Sequence, residues 1–247
     1  MRRLKYAMFC VSVLIVSTGH AQAGQIFLSG DSNIFVTAED NEIFFQNVFN
    51  GKSVANFSAR QLGDLGTTAS ESYYGDSTTI TSTAIGSSDF LIFGFNRSSV
   101  SAAELTAISD FFNAGGSLFL FGDGVIFQDA NNAVNTVLSA VGSTMSLSTT
   151  NNYDSGGFTT LTNFEGNGPY ASGVNSWTTA YTSEINIGSG QAIISGTADR
   201  DFGVAVGFEN VDSVVPEPAS MALFGLGSLG MGVIARRRKK QQADLAA

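Results

Sequence analysis

Apolar and polar positions alternate along the first two thirds of the chain in a way that predicts strands and helices in succession. The nearly continuous apolar runs at 89–95 and 117–121 are typical of strands buried on both faces of a sheet. Between them, Ser101 and Glu104 form a capping-box pattern that predicts the start of a helix. Apolar residues at helical spacing over 130–141 predict a second helix.

Weaker patterns precede this central segment. A short apolar run at 25–28 predicts a strand, 41–49 a helix, and 53–57 and 78–82 two further strands. Strand and helix in close succession favour parallel pairing with right-handed crossovers. We therefore expect the α/β class, with a flavodoxin-like open parallel sheet and helices on both faces.

The last third of the body has a different pattern. From residue 156 the apolar runs shorten, and threonine, glycine and aromatic residues become frequent. The segments 191–195 and 203–208 predict strands that complete the sheet or form an antiparallel edge. The fold is thus expected to have a β-rich C-terminal part.

The first 23 residues have the pattern of a signal peptide. Arg2, Arg3 and Lys5 are basic, residues 7–16 are apolar, and Ala21-Gln22-Ala23 has the small-x-small pattern that signal peptidase cleaves. The other interpretation is an uncleaved membrane anchor, but ten apolar residues span only about half of a ~30 Å hydrocarbon core. We expect cleavage after residue 23 and a mature chain from Gly24.

The C-terminal segment 215–240 predicts a membrane span with a cytoplasmic stop. Pro216, Glu217 and Pro218 precede an uncharged run at 219–235 that is long enough for a short transmembrane helix. A basic cluster then holds the C-terminal side in the cytoplasm, and residues 241–247 form a tail. The cluster consists of Arg236, Arg237, Arg238, Lys239 and Lys240. Residues 24–214 remain as one exported domain.

These three C-terminal elements together resemble a PEP-CTERM sorting signal. The resemblance implies that exosortase, a membrane protease-transpeptidase, recognises the Pro-Glu-Pro element and removes the helix. It also implies a host that makes exopolysaccharide. The protein is then expected in the inner membrane before processing, and at the cell surface or in the extracellular matrix afterwards.

Charge and residue counts of the body exclude several classes of function. Residues 24–214 contain four cations and nineteen carboxylates, a net charge of −15, which disfavours nucleic acid as a partner. The only cysteine, Cys10, and the only histidine, His20, lie in the signal peptide. The body therefore offers no disulfide, thiol nucleophile or imidazole base, and no Cys or His ligands for zinc. We expect no cofactor.

Residues 25–142 resemble class I glutamine amidotransferase-like domains, including their ThuA-type relatives. The likeness lies in the order of strand, Ser-Ala-Ala-Glu helix, Gly-Gly turn, strand and small-residue elbow. At the elbow, where the family has its catalytic cysteine, this chain has Gly122-Asp123-Gly124, and no histidine follows. Amidotransferase activity is therefore not expected.

The segment Gly30-Asp31-Ser32-Asn33 resembles the nucleophile block of the Gly-Asp-Ser hydrolases. In that interpretation Ser32 is the nucleophile, but its activation needs a base that the body lacks as histidine. Lys52 is a conceivable substitute that the spacing does not support. The other interpretation is that these residues form a turn and cap.

If a ligand binds, parallel-sheet geometry places it at the carboxyl ends of the strands. Six polar residues are expected to gather there: Asp31, Ser32, Asn33, Asn96, Arg97 and Asp123. In this pocket, Arg97 either binds an acidic sugar, pairs with Asp123 or lies in water.

Calcium and sugar binding have weaker support in the sequence. Two acidic pairs, Asp123 with Asp129 and Asp199 with Asp201, have the oxygen ligands that calcium prefers, but at too low a density for a calcium loop. A local ion-pair turn is the other interpretation of the second pair. Aromatic residues that stack on sugars if exposed are Tyr73, Tyr74, Tyr170, Trp177 and Tyr181, with Trp177 the favoured candidate. The other interpretation is that these residues belong to the core.

Two functional hypotheses follow. The first is a non-catalytic protein of the envelope or matrix that binds exopolysaccharide. The second is a divergent hydrolase that uses Ser32 or Asp123 at the strand ends.

Overall fold

A mixed sheet of eight strands forms the centre of the protein in the computed structural model, which describes residues 24–35, 39–152, 157–196 and 203–211. All described residues fall in one compact unit, which ends at Val211. The strands are β1 (Gln25–Ser29), β2 (Ser53–Phe57), β3 (Ser70–Tyr73), β4 (Phe90–Gly94), β5 (Ser117–Phe121), β6 (Ser146–Asn152), β7 (Thr159–Leu161), β8 (Phe164–Gly166), β9 (Trp177–Thr179), β10 (Ser183–Asn186), β11 (Gln191–Gly196) and β12 (Val204–Asn210).

Helices connect the strands of the N-terminal half. They are α1 (Glu39–Phe49), α2 (Ser82–Ile85), α3 (Ala102–Asn113) and α4 (Gln128–Ala140). Short 3-10 turns occur at Asn33–Phe35, Gly63–Leu65, Val125–Phe127 and Pro169–Ala171.

The large sheet has the strand order β3-β2-β4-β5-β1-β12-β11-β8. The first five strands of this order are parallel, and β12, β11 and β8 continue the sheet as antiparallel strands. Two small antiparallel ladders, β6 with β10 and β7 with β9, lie outside it. The predicted α/β class and the β-rich C-terminal part are confirmed.

Both faces of the sheet are covered, as the continuous apolar strands predicted. On one face Leu91 and Phe93 of β4 pack in a core with Ile108 of α3 and Val134 of α4. On the other face Phe119 of β5 packs in a core that contains four α1 residues, Phe44, Phe45, Val48 and Phe49. Each buried side chain of this size contributes about 1.5–3 kcal/mol to the free energy of unfolding.

The strand order differs from the predicted flavodoxin-like order, in which the first strand lies inside the parallel set. Here β1 is the last of the parallel strands in the order, and the antiparallel strands begin next to it with β12. It pairs with β5 on one side and with β12 on the other. The apolar run at 25–28 predicts a strand correctly, but such a run does not specify the neighbours of that strand.

Two further sequence predictions need correction or fall outside the described residues. The segment 78–82 is not a strand: Thr81 caps α2, and the edge strand β3 lies earlier, at Ser70–Tyr73. The predicted signal peptide, the predicted membrane helix at 219–235 and the tail lie outside the described residues. Within the residues that the structure describes, no helix is long and apolar enough to cross a membrane.

Candidate functional site

The carboxyl ends of β1 and β5 bring four of the six predicted site residues together. Asp31, Ser32 and Asn33 follow β1, and Asp123 follows the neighbouring strand β5. Gly30 lets this loop approach the start of β10, because a Cβ at Gly30 would lie 2.0 Å from the carbonyl oxygen of Ser183. The loop is therefore held between β5 and the 179–183 segment.

Asp31 fixes the position of the chain between β9 and β10. One carboxylate oxygen accepts a hydrogen bond from the Asn33 amide at 2.6 Å. The other accepts from the Thr179 hydroxyl at 2.8 Å and from the Ala180 amide at 2.7 Å. Asp31 is only 1% exposed. Burial raises its pKa to about 6, against these three hydrogen bonds, and the nearby Asp123 carboxylate adds to the rise.

Ser32 and Asp123 form a buried hydrogen-bonded pair. The Ser32 hydroxyl donates to Oδ2 of Asp123, and Oδ1 of Asp123 accepts from the Gly124 amide at 2.7 Å. Asn131 of α4 holds the Asp123 backbone, accepting from its amide at 3.1 Å and donating to its carbonyl oxygen at 2.8 Å. Burial raises the pKa of Asp123, although the Ser32 and Gly124 hydrogen bonds and the charge of Arg60 oppose the rise.

Arg60 belongs to this cluster, and the sequence did not point to it. It follows β2, and its Nη2 lies 3.4 Å from both Ser32 Oγ and Asn33 Oδ1. Its guanidinium also lies 5.7 Å from the centre of the Phe95 ring. Its position after a parallel strand is the only signal that it reaches the same edge of the sheet.

Arg97 and Asn96 do not join the cluster. Arg97 is buried and pairs with Glu104 of α3 at 3.0 Å, while its Nη2 donates to the carbonyl oxygen of Thr78. Its acidic partner is Glu104 and not Asp123, because the first turn of α3 places Glu104 beside it. Asn96 is exposed and has a left-handed backbone, with φ of 75°.

Glu104 has two roles: it caps the start of α3, and it forms the ion pair with Arg97. The capping box is confirmed, since Glu104 Oε2 accepts from the Ser101 amide at 2.9 Å. Its Oε1 accepts from Arg97 and from the Ile80 amide. Burial would raise the pKa of Glu104, but hydrogen bonds from Ser101, Ile80 and Arg97 outweigh it and lower the pKa to about 2.

The buried cluster offers little access for hydrolytic chemistry. Ser32 has 0% and Asp123 2% of its surface exposed, so a substrate cannot reach the hydroxyl in this conformation. The side chain that accepts the hydrogen bond of the Ser32 hydroxyl is the Asp123 carboxylate. This carboxylate also accepts from the Gly124 amide and interacts with the charge of Arg60. Within this turn the Asp31 carboxylate accepts from the Asn33 amide, and Ser32 is closed off from solvent.

Of the two acidic pairs proposed for calcium, only Asp123 with Asp129 lies among the described residues. Asp123 is buried in the cluster, whereas Asp129 is exposed on α4. Within the described ranges, no group of three or more histidine, cysteine, aspartate or glutamate residues is arranged to hold a metal ion. Asp199 and Asp201 lie outside the described residues.

The prediction that Trp177 is exposed is wrong. Its side chain is 0% exposed and packs edge-on against Phe44 of α1, with ring centres 5.4 Å apart. Trp177 lies in β9 and belongs to the core on the sheet face that α1 covers. Two of the other aromatic candidates, Tyr73 and Tyr181, are exposed.

Asp31 and Glu104 are expected to give opposite pH dependences of stability. Asp31 has a raised pKa, so its contribution is fully present below about pH 4 and is lost as the pH rises through about 6. Glu104 has a lowered pKa, so its contribution is present above about pH 4.5 and is lost as the pH falls toward about 2. Urea unfolding between pH 2 and 8, followed by Trp177 fluorescence, measures both.

In this experiment Asp31→Asn should remove the loss of stability between pH 4 and 6, and Glu104→Gln should remove the loss below pH 4.5. Unchanged profiles in both variants would contradict the assignment.

Comparison with known proteins identifies one segment of the chain. Residues 214–239 match the family model described as the PEP-CTERM protein-sorting motif. The match confirms the predicted sorting signal and supports an exported, surface-directed protein that exosortase processes. No curated protein and no solved structure matches the chain. The resemblance of the central domain to amidotransferase-like domains is not confirmed.

Proposed function

We propose that this protein is a non-catalytic component of the cell envelope or extracellular matrix, and that its domain binds exopolysaccharide. In this proposal, signal peptidase and exosortase process the two ends of the chain. The C-terminal helix holds the protein in the inner membrane until exosortase acts. The PEP-CTERM motif at 214–239 supports the sorting step.

The observation that carries the non-catalytic role is the burial of Ser32 and Asp123. Both side chains have internal partners, and both are almost fully inaccessible to a substrate. The acidic body, with four cations against nineteen carboxylates, also suits a protein that stays soluble outside the cell. A hydrolase would need this site to open, and no observation favours such a state.

The proposal predicts binding without turnover. The full chain should sediment with insoluble exopolysaccharide from the producing strain, and the measurement is the fraction bound, with calcium and with chelator. Ser32→Ala should leave this fraction unchanged, because the hydroxyl contacts only the buried cluster. Its expected cost is about 1–3 kcal/mol of folding free energy, since Asp123 loses a buried donor.

The same preparations should be assayed for hydrolysis of ester and glycoside substrates. Turnover by the wild-type chain that Ser32→Ala or Asp123→Asn abolishes would refute the non-catalytic role. Absence of sedimentation in both conditions would refute polysaccharide binding.

A further inference from the structure

A groove of about 680 Å³ opens beside the buried cluster, between the end of β4 and the start of α4. We call it the edge groove; Val125, Ile126 and Phe127 form its apolar wall. Ile126 is 75% exposed and Phe127 36% exposed. Large apolar side chains that are adjacent and exposed on a soluble domain commonly mark a binding surface.

Phe127 is held in place by its neighbours. Its ring packs edge-on against Phe95, with ring centres 4.8 Å apart and planes at 82°. Phe95 in turn lies against the guanidinium of Arg60. A ligand that stacks on Phe127 therefore meets a ring that is already oriented, which reduces the entropy lost on binding.

The turn that carries Ile126 and Phe127 is also fixed. It begins after Gly124, where a Cβ would lie 2.6 Å from the carbonyl oxygen of Tyr181, so only glycine permits this close approach. Tyr181 itself has a left-handed backbone, with φ of 57°, and is 47% exposed. A bulky residue in this conformation is uncommon, and such strain is often found at functional sites.

The polar groups of the edge groove are amides, a hydroxyl and a carboxylate. Asn96, Ser98, Gln128 and Asp129 supply them, and all four residues are exposed. Among the described residues that line the groove there is no cation. With Asp129 at the groove and a body charge of −15, an anionic polymer would be repelled.

We propose that the edge groove binds an uncharged sugar unit of an extracellular polysaccharide, with one face of the sugar ring on Phe127. The apolar face of a sugar suits the aromatic ring, and its hydroxyls suit the amides and the carboxylate around it. The inference rests on the proposed function and assigns to it a site and a ligand class. This site lies beside the predicted pocket and shares only Asn96 with it.

The test uses the full chain and exopolysaccharide from the producing strain, separated by anion exchange into neutral and acidic fractions. The neutral fraction should bind the wild-type chain, and Phe127→Leu should weaken this binding by roughly tenfold, because leucine keeps an apolar side chain but loses the flat ring. Phe127→Tyr keeps the ring and should bind like the wild type. Tyr73→Leu, which removes an exposed aromatic ring from β3, is the matched control and should have no effect.

Each outcome separates the site from the proposed function. Equal binding by the wild type and Phe127→Leu would overturn the groove as the site and leave polysaccharide binding intact. Binding of the acidic fraction alone would overturn the ligand class, and no binding of either fraction would overturn the proposed function. A wild-type dimer that Phe127→Leu converts to monomer, measured by sedimentation velocity, would show that a second copy covers the groove and would overturn the proposal. Unchanged urea unfolding of Phe127→Leu, followed by Trp177 fluorescence, shows that the variant is folded.

Discussion

Replacing Asp31 by alanine is expected to lower the free energy of unfolding at pH 7 by about 2–4 kcal/mol. The substitution leaves the Asn33 amide, the Thr179 hydroxyl and the Ala180 amide without their carboxylate acceptor in a buried place. A lost buried acceptor costs about 1–3 kcal/mol for each donor. Burial destabilises the charged form of the Asp31 carboxylate, which is why its pKa is raised. Alanine removes this buried charge, and that gain offsets part of the cost.

Urea unfolding followed by fluorescence gives this number directly. Trp177 is the only tryptophan of the chain and is buried in β9, two residues from Thr179. Asp110→Ala is the matched control, because Asp110 is exposed on α3, and it should change the free energy by less than about 0.5 kcal/mol. Equal stabilities of Asp31→Ala and Asp110→Ala would show that Asp31 does not hold the 179–180 segment.

Arg97→Met should be the second strongly destabilising substitution, with a cost of about 3–5 kcal/mol. It leaves the buried carboxylate of Glu104 without its cation, and it removes the donor to the carbonyl oxygen of Thr78. Methionine fills much of the same volume and packs against Phe93, over which the guanidinium lies. The loss therefore measures the charge and its hydrogen bonds more than a cavity.

A double-mutant cycle separates the ion pair from packing. In a Glu104→Gln background, Arg97→Met should cost clearly less, because no buried charge is left unpaired. The free energies come from urea unfolding at pH 7. The same cost in both backgrounds would mean that Arg97 acts through packing. Polysaccharide binding should not change in folded Arg97→Met, since Arg97 pairs inside the protein.

Local patterns predicted most elements of the parallel half of the fold, but not the edge strand β3. The apolar runs of β4 and β5 and the capping box of α3 depend on neighbouring residues, and the structure confirms each of them. The position of β1 could not be predicted in this way. An apolar run is compatible with any interior place in a sheet, and only pairing with the distant strand β12 fixes it.

The candidate site shows the same division between local and distant information. The gathering of Asp31, Ser32, Asn33 and Asp123 follows from the rule that parallel strands end at one edge. The cluster is closed by Thr179 and Ala180, which come from a distant part of the chain without a recognisable pattern.

The partner of Arg97 could not be predicted either. The sequence pattern assigns Glu104 to the helix cap, and its second interaction, with Arg97, depends on the fold.

The pairing of β1 with β12 determines when the central sheet of an exported chain can be completed. Gln25 pairs with Asn210, so the central sheet needs strands from both ends of the domain. Such pairing between residues far apart in sequence is slow, because a long loop must close before the contact forms. A chain that crosses a membrane with its N-terminus first cannot complete this sheet until β12 has emerged. The sorting motif at 214–239 follows immediately, so the domain acquires its final structure only as the segment read by the processing enzyme arrives.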